Sequence, residues 1–530
     1  MRARGRWEIL ACAGTLSLLA LLMCTSHIRH GGLYYDDWGV LALGRFPPPG
    51  GLLHGLWLDY GQRPGQVLYY AALDRVLGLH AAPRLGLAAG MVALQATLLY
   101  ALLRRLGLLA RDALACSALS LTFPFSDSVW LWGILSLASL AIAASLLGVI
   151  LALRAFERSG ARALALHGAS LALYVSGMLG YEVFAVAGCL AGLLYVRATG
   201  FARARARWAI DVVVITATLL LARAVLPIDV ATPSQTQSLE GILAHAGLIA
   251  TAGARVAGAA VLPVAGVTPW IGAALLVAGL AAGALVRWLL PCEERTRAEL
   301  GRWITIAVAG AALAAAAWAM YLPASDHYSP SAAGTVNRVN ALATIGVAVL
   351  VYGFLVLLGR LLARLARLPE TAGAAIAAVL AVALCATYLQ RSASDARAWD
   401  AAAADQQRLL ANVHAALPRL PSGAVLYAFD APLLVGPGVP VLNTALDLTS
   451  AVRLSYADRA LTAVPTRAAA GVRCGARGPL AAGVRGLYEQ SYLLDVRARR
   501  ARRLTSAAQC AAVVRGSDRD RDRGAWVSGQ

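Results

Sequence analysis

A chain of 530 residues that is 59% hydrophobic and only 14% charged, with a mean hydropathy of +0.65, lacks the polar surface of a soluble fold of that size. A multi-span membrane protein is the default expectation. The formal net charge of +19 would suit nucleic acid, but no stripe of basic and aromatic residues marks a soluble domain, so nucleic-acid binding is not expected. The sequence has no lysine, so all 47 basic residues are arginine, and with abundant Ala, Gly and Leu this points to a high-GC bacterial genome.

The first apolar run, about Ile9–Ser26, follows Arg2, Arg4 and Arg6. A cleaved signal peptide has that form too, and Cys24 raises a lipoprotein site, but Met23 is bulky where such sites want a small residue. An uncleaved helix with its N-terminus on the cytoplasmic side is the preferred reading. An external segment, about His27–Ala82, follows. A span needs about 20 apolar residues. That ruler places further spans at about Pro83–Leu103, Asp112–Phe125, Val129–Leu153, Ala163–Leu179, Val183–Val196 and Trp208–Leu226. The series continues at about Thr268–Leu290, Trp303–Tyr321, Val339–Gly359 and Thr371–Leu389, which makes about 11 spans.

Arginine clusters test that topology. They fall at Arg104, Arg105 and Arg111; at Arg154, Arg158 and Arg162; at Arg197, Arg203, Arg205 and Arg207; at Arg295, Arg297 and Arg302; and at Arg360, Arg364 and Arg367. All land on one side, which the positive-inside rule makes the cytoplasm. The apolar stretch Gly241–Val264, with His245 and Arg255, cannot then be a full span without inverting everything after it. It is expected to lie in the outer interface or to re-enter.

The fold class expected is an all-α polytopic membrane domain over residues 1–390, with a small α/β extracytoplasmic domain over 391–530. In the tail, Ala424–Phe429 reads as a buried strand and Leu487–Val496 as a second; Ser517–Arg523, alternating Asp and Arg, reads as a solvated, disordered end. Cys12, Cys24, Cys116, Cys189 and Cys385 sit in apolar segments and should pack; Cys292 falls in a cytoplasmic loop and should stay reduced. Cys474 and Cys510 are the two in the tail, and an oxidising compartment lets them pair. No CxxC or Cys/His metal spacing occurs.

Candidate chemistry begins at Tyr34-Tyr35-Asp36-Asp37-Trp38, two adjacent carboxylates flanked by aromatics just after the first span. Neighbouring side chains point about 100° apart on a helix and to opposite faces of a strand, so the two cannot act as a facing acid/base pair. One can serve as base while the other binds a metal, an arginine or backbone. The structural alternative is an Asx-turn or a helix cap. Leu53, Leu56, Trp57 and Tyr60 then form one apolar helical face, Gly61–Gly65 breaks it, and Val67–His80 resumes. Two amphipathic helices on the membrane surface would set Arg63 at headgroup depth, able to clamp a lipid phosphate or to meet ordinary headgroups. More acids arrive on the same side: Asp127 in a tight turn before Trp130 and Trp132, Glu182 after Tyr181, and Asp326, His327 and Tyr328 in a loop leading to Arg338. Carboxylates at membrane depth are costly and tend to be functional, although each alone also suits a cap or turn. Asp211 and Gln95 are assigned to helix packing.

Many spans, an acidic motif in the first external loop, amphipathic helices right after it and a soluble tail on the same side together resemble the glycosyltransferase C (GT-C) superfamily. That superfamily includes protein O-mannosyltransferases, lipid A aminoarabinose transferases and oligosaccharyltransferases. Tyr35-Asp36-Asp37 is similar to the family's Asp-Glu or Asp-Asp motif, with Asp37 where the mannosyl and aminoarabinose branches carry Glu. The resemblance implies Asp36 as catalytic base with Asp37 beside it, and Asp127 as the second-loop acid. By location it makes Arg63 and Arg338 the donor-phosphate arginines; Tyr328, Asp127 and Glu182 are counted among the substrate-binding residues. The implied donor is a sugar on a polyprenyl phosphate, and the acceptor a cell-envelope glycan, lipid or protein outside the bacterial inner membrane. A divalent metal ion near the phosphate is an open possibility, with Asp37, Asp127 and His327 as its candidate ligands. Competing readings are a lipid-linked oligosaccharide polymerase or ligase, which depends on a large later loop, and a transporter or flippase, which calls for mid-span charge and repeat symmetry.

Overall fold

A computed structural model describes residues 2–226, 238–264, 266–289, 294–436 and 438–525. Cys292 and the last five residues, 526–530, lie outside them. The chain has the architecture of a multi-pass membrane protein with a small C-terminal α/β region. Among the described residues ten helices are long and apolar enough to cross a membrane. The chain divides into two compact units, and the division is not a simple cut at 390/391. The first holds residues 1–28, 57–69 and 83–396; the second holds 29–56, 70–82 and 397–530. Most of the first external segment therefore folds with the tail.

The first unit is built from α1 (Arg2–His30), the end of α3 (Gly51–Tyr60), the start of α4 (Pro64–Leu77), α5 (Ala81–Arg105), α6 (Ala110–Leu121), the single turn α7 (Ser128–Leu131), α8 (Ser136–Ala155), α9 (Gly160–Gly180), α10 (Ala185–Thr199) and α11 (Phe201–Val225). It continues with α12 (Leu239–Val261), α13 (Pro269–Leu289), α14 (Glu294–Ala319), α15 (Ala343–Leu365) and most of α16 (Glu370–Ala416). Leu220, Leu221 and Val225 on α11 are 64%, 64% and 70% exposed. Apolar exposure on that scale is tolerated where lipid is the solvent. Helices α14 and α15 come into backbone contact at Gly310 and Gly346, where a Cβ on either would meet the other's carbonyl oxygen at 2.6 and 2.5 Å. Such small-residue crossings are how helices associate in hydrocarbon. The Asp211 carboxylate pairs with Arg207 at 2.7 Å and accepts from the Tyr195 hydroxyl at 3.0 Å, a buried packing role as expected.

Five arginine-bearing loops meet at one end. Arg105 pairs with Glu157 at 2.7 Å, Arg203 donates to the Phe156 carbonyl at 3.2 Å, and Arg302 donates to the Gly107 carbonyl at 2.8 Å. Arg360 pairs with Glu299. These contacts chain the loops after α5, α8, α10, α13 and α15 together. Glu8 of α1 joins them through Arg104, while His27 near the other end of α1 bonds the Leu131 carbonyl at 2.8 Å.

Helix α12 has the length and composition to cross, yet its contacts stay at the end opposite the arginines. His245 bonds the Leu322 carbonyl and the Ser329 hydroxyl at 3.3 and 3.1 Å. A Cβ on Gly253 would stand 2.7 Å from the Trp318 ring, and the Ala260 carbonyl accepts from the Tyr388 hydroxyl. These contacts of the stretch Gly241–Val264 lie toward that end. On α13, Gly279 packs on Phe354, Gly283 on Leu357, and Arg287 beside Gly301.

One expected span is not a continuous helix. The stretch Asp112–Phe125 gives only α6, 12 residues or about 18 Å. Pro124 lacks an amide hydrogen and pushes Phe123 out of helical geometry, to φ −59° and ψ 113°. The next stretch also starts late. Trp132 is extended, and α8 begins at Ser136 rather than at Val129.

The second unit contains α2 (Asp36–Arg45), α17 (Ala445–Tyr456), α18 (Ala507–Ala525) and a four-stranded sheet. The strands are β1 (Val425–Phe429), β4 (Thr462–Pro465), β8 (Ser491–Asp495) and β9 (Arg500–Arg503), in the order β4-β1-β8-β9. Short antiparallel pieces accompany it: β2 (Leu434–Val435) with β3 (Val439–Pro440), and β5 (Arg473–Gly475), β6 (Gly478–Ala481) and β7 (Val484–Arg485). Strand β1 runs parallel to both neighbours and is buried throughout. Its two faces feed separate cores. Leu426 and Ala428 join Leu409, Val413, Leu448 and Val452 from α16 and α17. Tyr427 and Phe429 join Leu493, Val513 and Val514 of β8 and α18. A central strand with helices on both faces reads as a continuous apolar run, as Val425–Phe429 does. The expected second strand is β8, after a 3-10 turn at Tyr488–Gln490.

The end expected to be disordered is helical as far as Ala525, so Ser517–Arg523 continue α18. Cys510, Val513 and Val514 seat the first turns of α18 in the core, and propagation from a fixed turn is easier than nucleation. Cys474 and Cys510 are joined, S–S 1.94 Å, across 36 residues of chain. Chain-entropy arguments give such a closure about 4 kcal/mol. Cys510→Ser is therefore expected to lower the denaturant midpoint of the tail and loosen α18. Hydrogen exchange on the detergent-purified chain checks this: unchanged α18 protection would contradict it.

Candidate functional site

The acidic motif lies in the second unit. Tyr34 is fully buried; its hydroxyl donates to the Trp399 carbonyl at 2.8 Å, and its ring stands edge-on to the Trp399 indole at 4.7 Å. Tyr35 then takes a left-handed φ of +48°, and α2 starts at Asp36. Asp37 is 1% exposed, and its Oδ2 accepts the Tyr34 amide at 3.1 Å while its own amide donates to the Tyr34 carbonyl at 3.0 Å. Asp37 thus closes the turn that opens the helix, which is the capping role weighed against chemistry above. Asp36 is half-buried.

Next to α2 runs α17, with Leu446 3.8 Å from the place of a Cβ on Gly39. Thr444 caps α17 by accepting the Asp447 amide at 3.2 Å. The Asp447 carboxyl is fully buried beside Thr444. Burial pushes its pKa up to about 7; hydrogen bonding to Thr444 works against that, and the nearby charge of Asp36 adds to it.

The remaining candidates lie in the first unit, at the end away from the arginine loops, where the helices give way to 3-10 turns. Arg63 sits in the turn before α4 and Glu182 in the turn after α9. Their side chains, 25% and 23% exposed, form a bidentate pair: Nε to Oε2 at 2.6 Å and Nη2 to Oε1 at 2.8 Å. Fork-to-fork pairing fixes direction as well as charge. Arg223 of α11 approaches the same carboxylate at 3.8 Å, and the Arg63 guanidinium lies 4.9 Å from the centre of the Tyr181 ring. Burial alone would depress the Arg63 pKa, but Glu182 more than offsets it and holds the guanidinium charged. The backbone approach that permits this pair is at Gly65, where a Cβ would stand 2.7 Å from the Gly180 nitrogen. A cavity of about 20 Å³ beside the pair, lined by Gln62, Met178 and Leu219 among others, has room for a water molecule.

Arg338 lies in the 3-10 turn Thr335–Asn340, its guanidinium 5.6 Å from the Trp132 ring centre and 5.7 Å from that of Tyr328. The Tyr328 ring stacks on Tyr321, 6.3 Å between centres and 13° between planes. The turn is stapled to the residues before α8. Asn337 donates to Asp127 Oδ1 at 2.7 Å and accepts the Ser128 amide at 3.2 Å. Asn340 donates to the Phe125 carbonyl at 2.6 Å and accepts from Trp318 Nε1 at 3.0 Å. Asp127 was expected to touch substrate; it is instead 1% exposed and serves as a strut beneath Arg338. Burial, reinforced by neighbouring Asp395 and eased by Asn337, raises its pKa well above the usual carboxylate value.

Within this unit the structure thus gathers Arg63, Glu182, Tyr181, Tyr321, Tyr328 and Arg338 at one end and sets Asp127 underneath. The His327 ring stands edge-on to Tyr328 at 5.4 Å. Among the described residues no three His, Cys, Asp or Glu side chains gather into a metal-holding group. No protein-family model matches the chain, and no curated protein matches it. The GT-C resemblance therefore stands on topology and on the residues themselves.

Several contributors were missed from the sequence. Arg84, the fourth residue of α5, is 1% exposed, and a Cβ on Gly133 would sit 3.0 Å from its side chain. Arg391 and Asp395 are paired at 3.2 Å on α16, and their spacing of four on a helix was the available signal. Asn337, Asn340 and Tyr321 carried none.

Gly65→Ala is expected to drive α4 from α9 and cost about 1 to 3 kcal/mol of stability through overpacking. A thermal melt of the purified chain matching that of the parent would contradict the close approach. Asp447 gives a pH prediction. Its folded pKa is raised, so the stability linked to its proton is full below about pH 4 and is lost as pH rises toward 7. Exchange protection of α17 should fall across that window, and Asp447→Asn should flatten the fall. An identical profile in the variant would remove Asp447 from the linkage.

Proposed function

We propose that this protein is a membrane glycosyltransferase of GT-C type, moving a sugar from a polyprenyl-phosphate donor to an acceptor on the extracytoplasmic face of the bacterial inner membrane. The observation that carries the reading is the pairing of position and chemistry at Arg63 and Arg338. Two guanidiniums, each braced by aromatic rings, stand at the end of a spanning bundle away from its arginine loops. If those loops face the cytoplasm, as the positive-inside rule requires, the braced pair meets the headgroups of the outer leaflet. A phosphate on a lipid is the anion that depth offers, and a guanidinium is suited to it in geometry and charge.

In this reading Asp36 takes the proton from the acceptor hydroxyl. The oxygen attacks the anomeric carbon, the bond from that carbon to the phosphate oxygen breaks, and the polyprenyl phosphate leaves with the bonding electrons. Attack from the side opposite the leaving group inverts the anomeric centre. Arg63 and Arg338 stabilise the charge that builds on the departing phosphate. Aromatic faces at Tyr321, Tyr328 and Trp132 suit the apolar side of a sugar ring. Asp37 acts on the turn that presents Asp36 and touches no substrate.

Asp36→Asn should reduce transfer in membrane vesicles supplied with polyprenyl-phosphate sugars by 10²-fold or more, with expression and insertion unchanged. Transfer at the parent rate would remove Asp36 as base. Arg338→Ala should raise the apparent KM for the lipid donor about tenfold, as the loss of one charge-assisted contact implies. An unchanged KM would take that side chain out of donor binding. Comparison of envelope glycans between a deletion strain and its parent would name the product.

A further inference from the structure

A large apolar crevice in the first unit lies away from the site just described. It is a crevice of about 400 Å³ among α5, α8, α10, α14 and α15, with Leu103, Leu146, Leu194 and Leu342 in its walls. At the end where the arginine loops meet it is bounded by Arg197 and Arg302. From Arg302 it follows α14 as far as Ala316, a run of roughly 21 Å at the helical rise.

The two arginines at the mouth differ from their neighbours. Arg104, Arg105 and Arg360 at that end are paired with Glu8, Glu157 and Glu299. Among the described residues neither Arg197 nor Arg302 has a carboxylate within ion-pair distance. Arg302 spends one guanidinium nitrogen on the Gly107 carbonyl, and both side chains are exposed. The hydroxyls of Ser145 and Thr305 in the wall are satisfied by the Ala141 and Gly301 carbonyls at 3.0 and 2.9 Å. The walls thus ask for hydrocarbon and the mouth for an anion.

We infer that this crevice holds one acyl chain of an anionic phospholipid drawn from the leaflet at the arginine end, with the lipid phosphate between Arg197 and Arg302. The site is separate from the sugar-donor site at the opposite end and does not depend on that reading. Each methylene buried in the crevice adds to the attachment, and the phosphate sets the preference for an anionic headgroup.

Native mass spectrometry of the delipidated full chain, titrated with phosphatidylglycerol or phosphatidylcholine, tests the inference. One phosphatidylglycerol should bind at least tenfold more tightly than phosphatidylcholine. The double variant Arg197→Gln, Arg302→Gln should lose that preference, whereas Arg158→Gln, which changes an arginine at the same end but outside the crevice wall, should keep it. Ala312→Phe, placed on the crevice wall, should abolish the one-to-one complex while the chain still elutes as a single species. Equal binding of the two lipids to the parent chain would overturn the inference. So would a preference that survives the double arginine variant, or displacement of phosphatidylglycerol by inorganic phosphate at equal concentration, which would mark a phosphate site with no part for the chain.

Discussion

Two asparagines hold together the end of the bundle away from the arginine loops. The backbone leaves helical geometry twice there, at residues 122–135 and again at 320–342, and irregular backbone near hydrocarbon is stable only if each freed group finds a partner. Asn337 and Asn340 supply those partners across the gap, reaching Asp127, Ser128, Phe125 and Trp318. A carboxamide is the side chain that can donate and accept at once without carrying charge into a dry place. The two turns consequently form one rigid platform, and Arg338 stands on it between Trp132 and Tyr328.

Charge is segregated around that platform. The five arginine loops are chained to one another at the far end by Glu157, Glu299 and backbone carbonyls, so that end is sealed by ion pairs and hydrogen bonds. Here Arg63 forms a bidentate pair with Glu182 and lies against the Tyr181 ring, and Arg338 lies against the Trp132 and Tyr328 rings. A bidentate pair and an aromatic face each fix the direction of a guanidinium. Arg63 in addition joins α4 to α9 through Glu182.

Which parts were legible in the sequence follows from what each signal measures. The arginine clusters report sidedness, and their loops meet at one end of the first unit. Strand β1 was legible because a strand buried on both faces has no polar residues to blur it. Depth was not legible. Asp127 was read as a substrate contact, since sequence cannot tell a carboxylate at a cavity from one buried under a turn. The ruler of about 20 residues misread Asp112–Phe125 because it weighs hydropathy and ignores Pro124, the residue that stops α6. Nor could spacing decide whether Cys474 and Cys510 pair; the fold of α18 against β5 brings them together.

The acidic pair shows how adjacency can mean division of labour. Asp37 is committed: it is buried, it takes the Tyr34 amide, and it stabilises a turn whose preceding residue holds a left-handed backbone that costs a non-glycine residue energy. Asp36 opens the helix beside it, half-buried and free of that particular duty. Its surroundings within the second unit include the buried Asp447, which keeps its proton below about pH 7. A protonated Asp447 puts no second negative charge next to Asp36, and in an apolar setting that repulsion would be costly. The tail thus contributes to the motif through one carboxyl that stays neutral, which gives a physical reason for residues 29–56 to fold with the C-terminal sheet and not with the spanning helices.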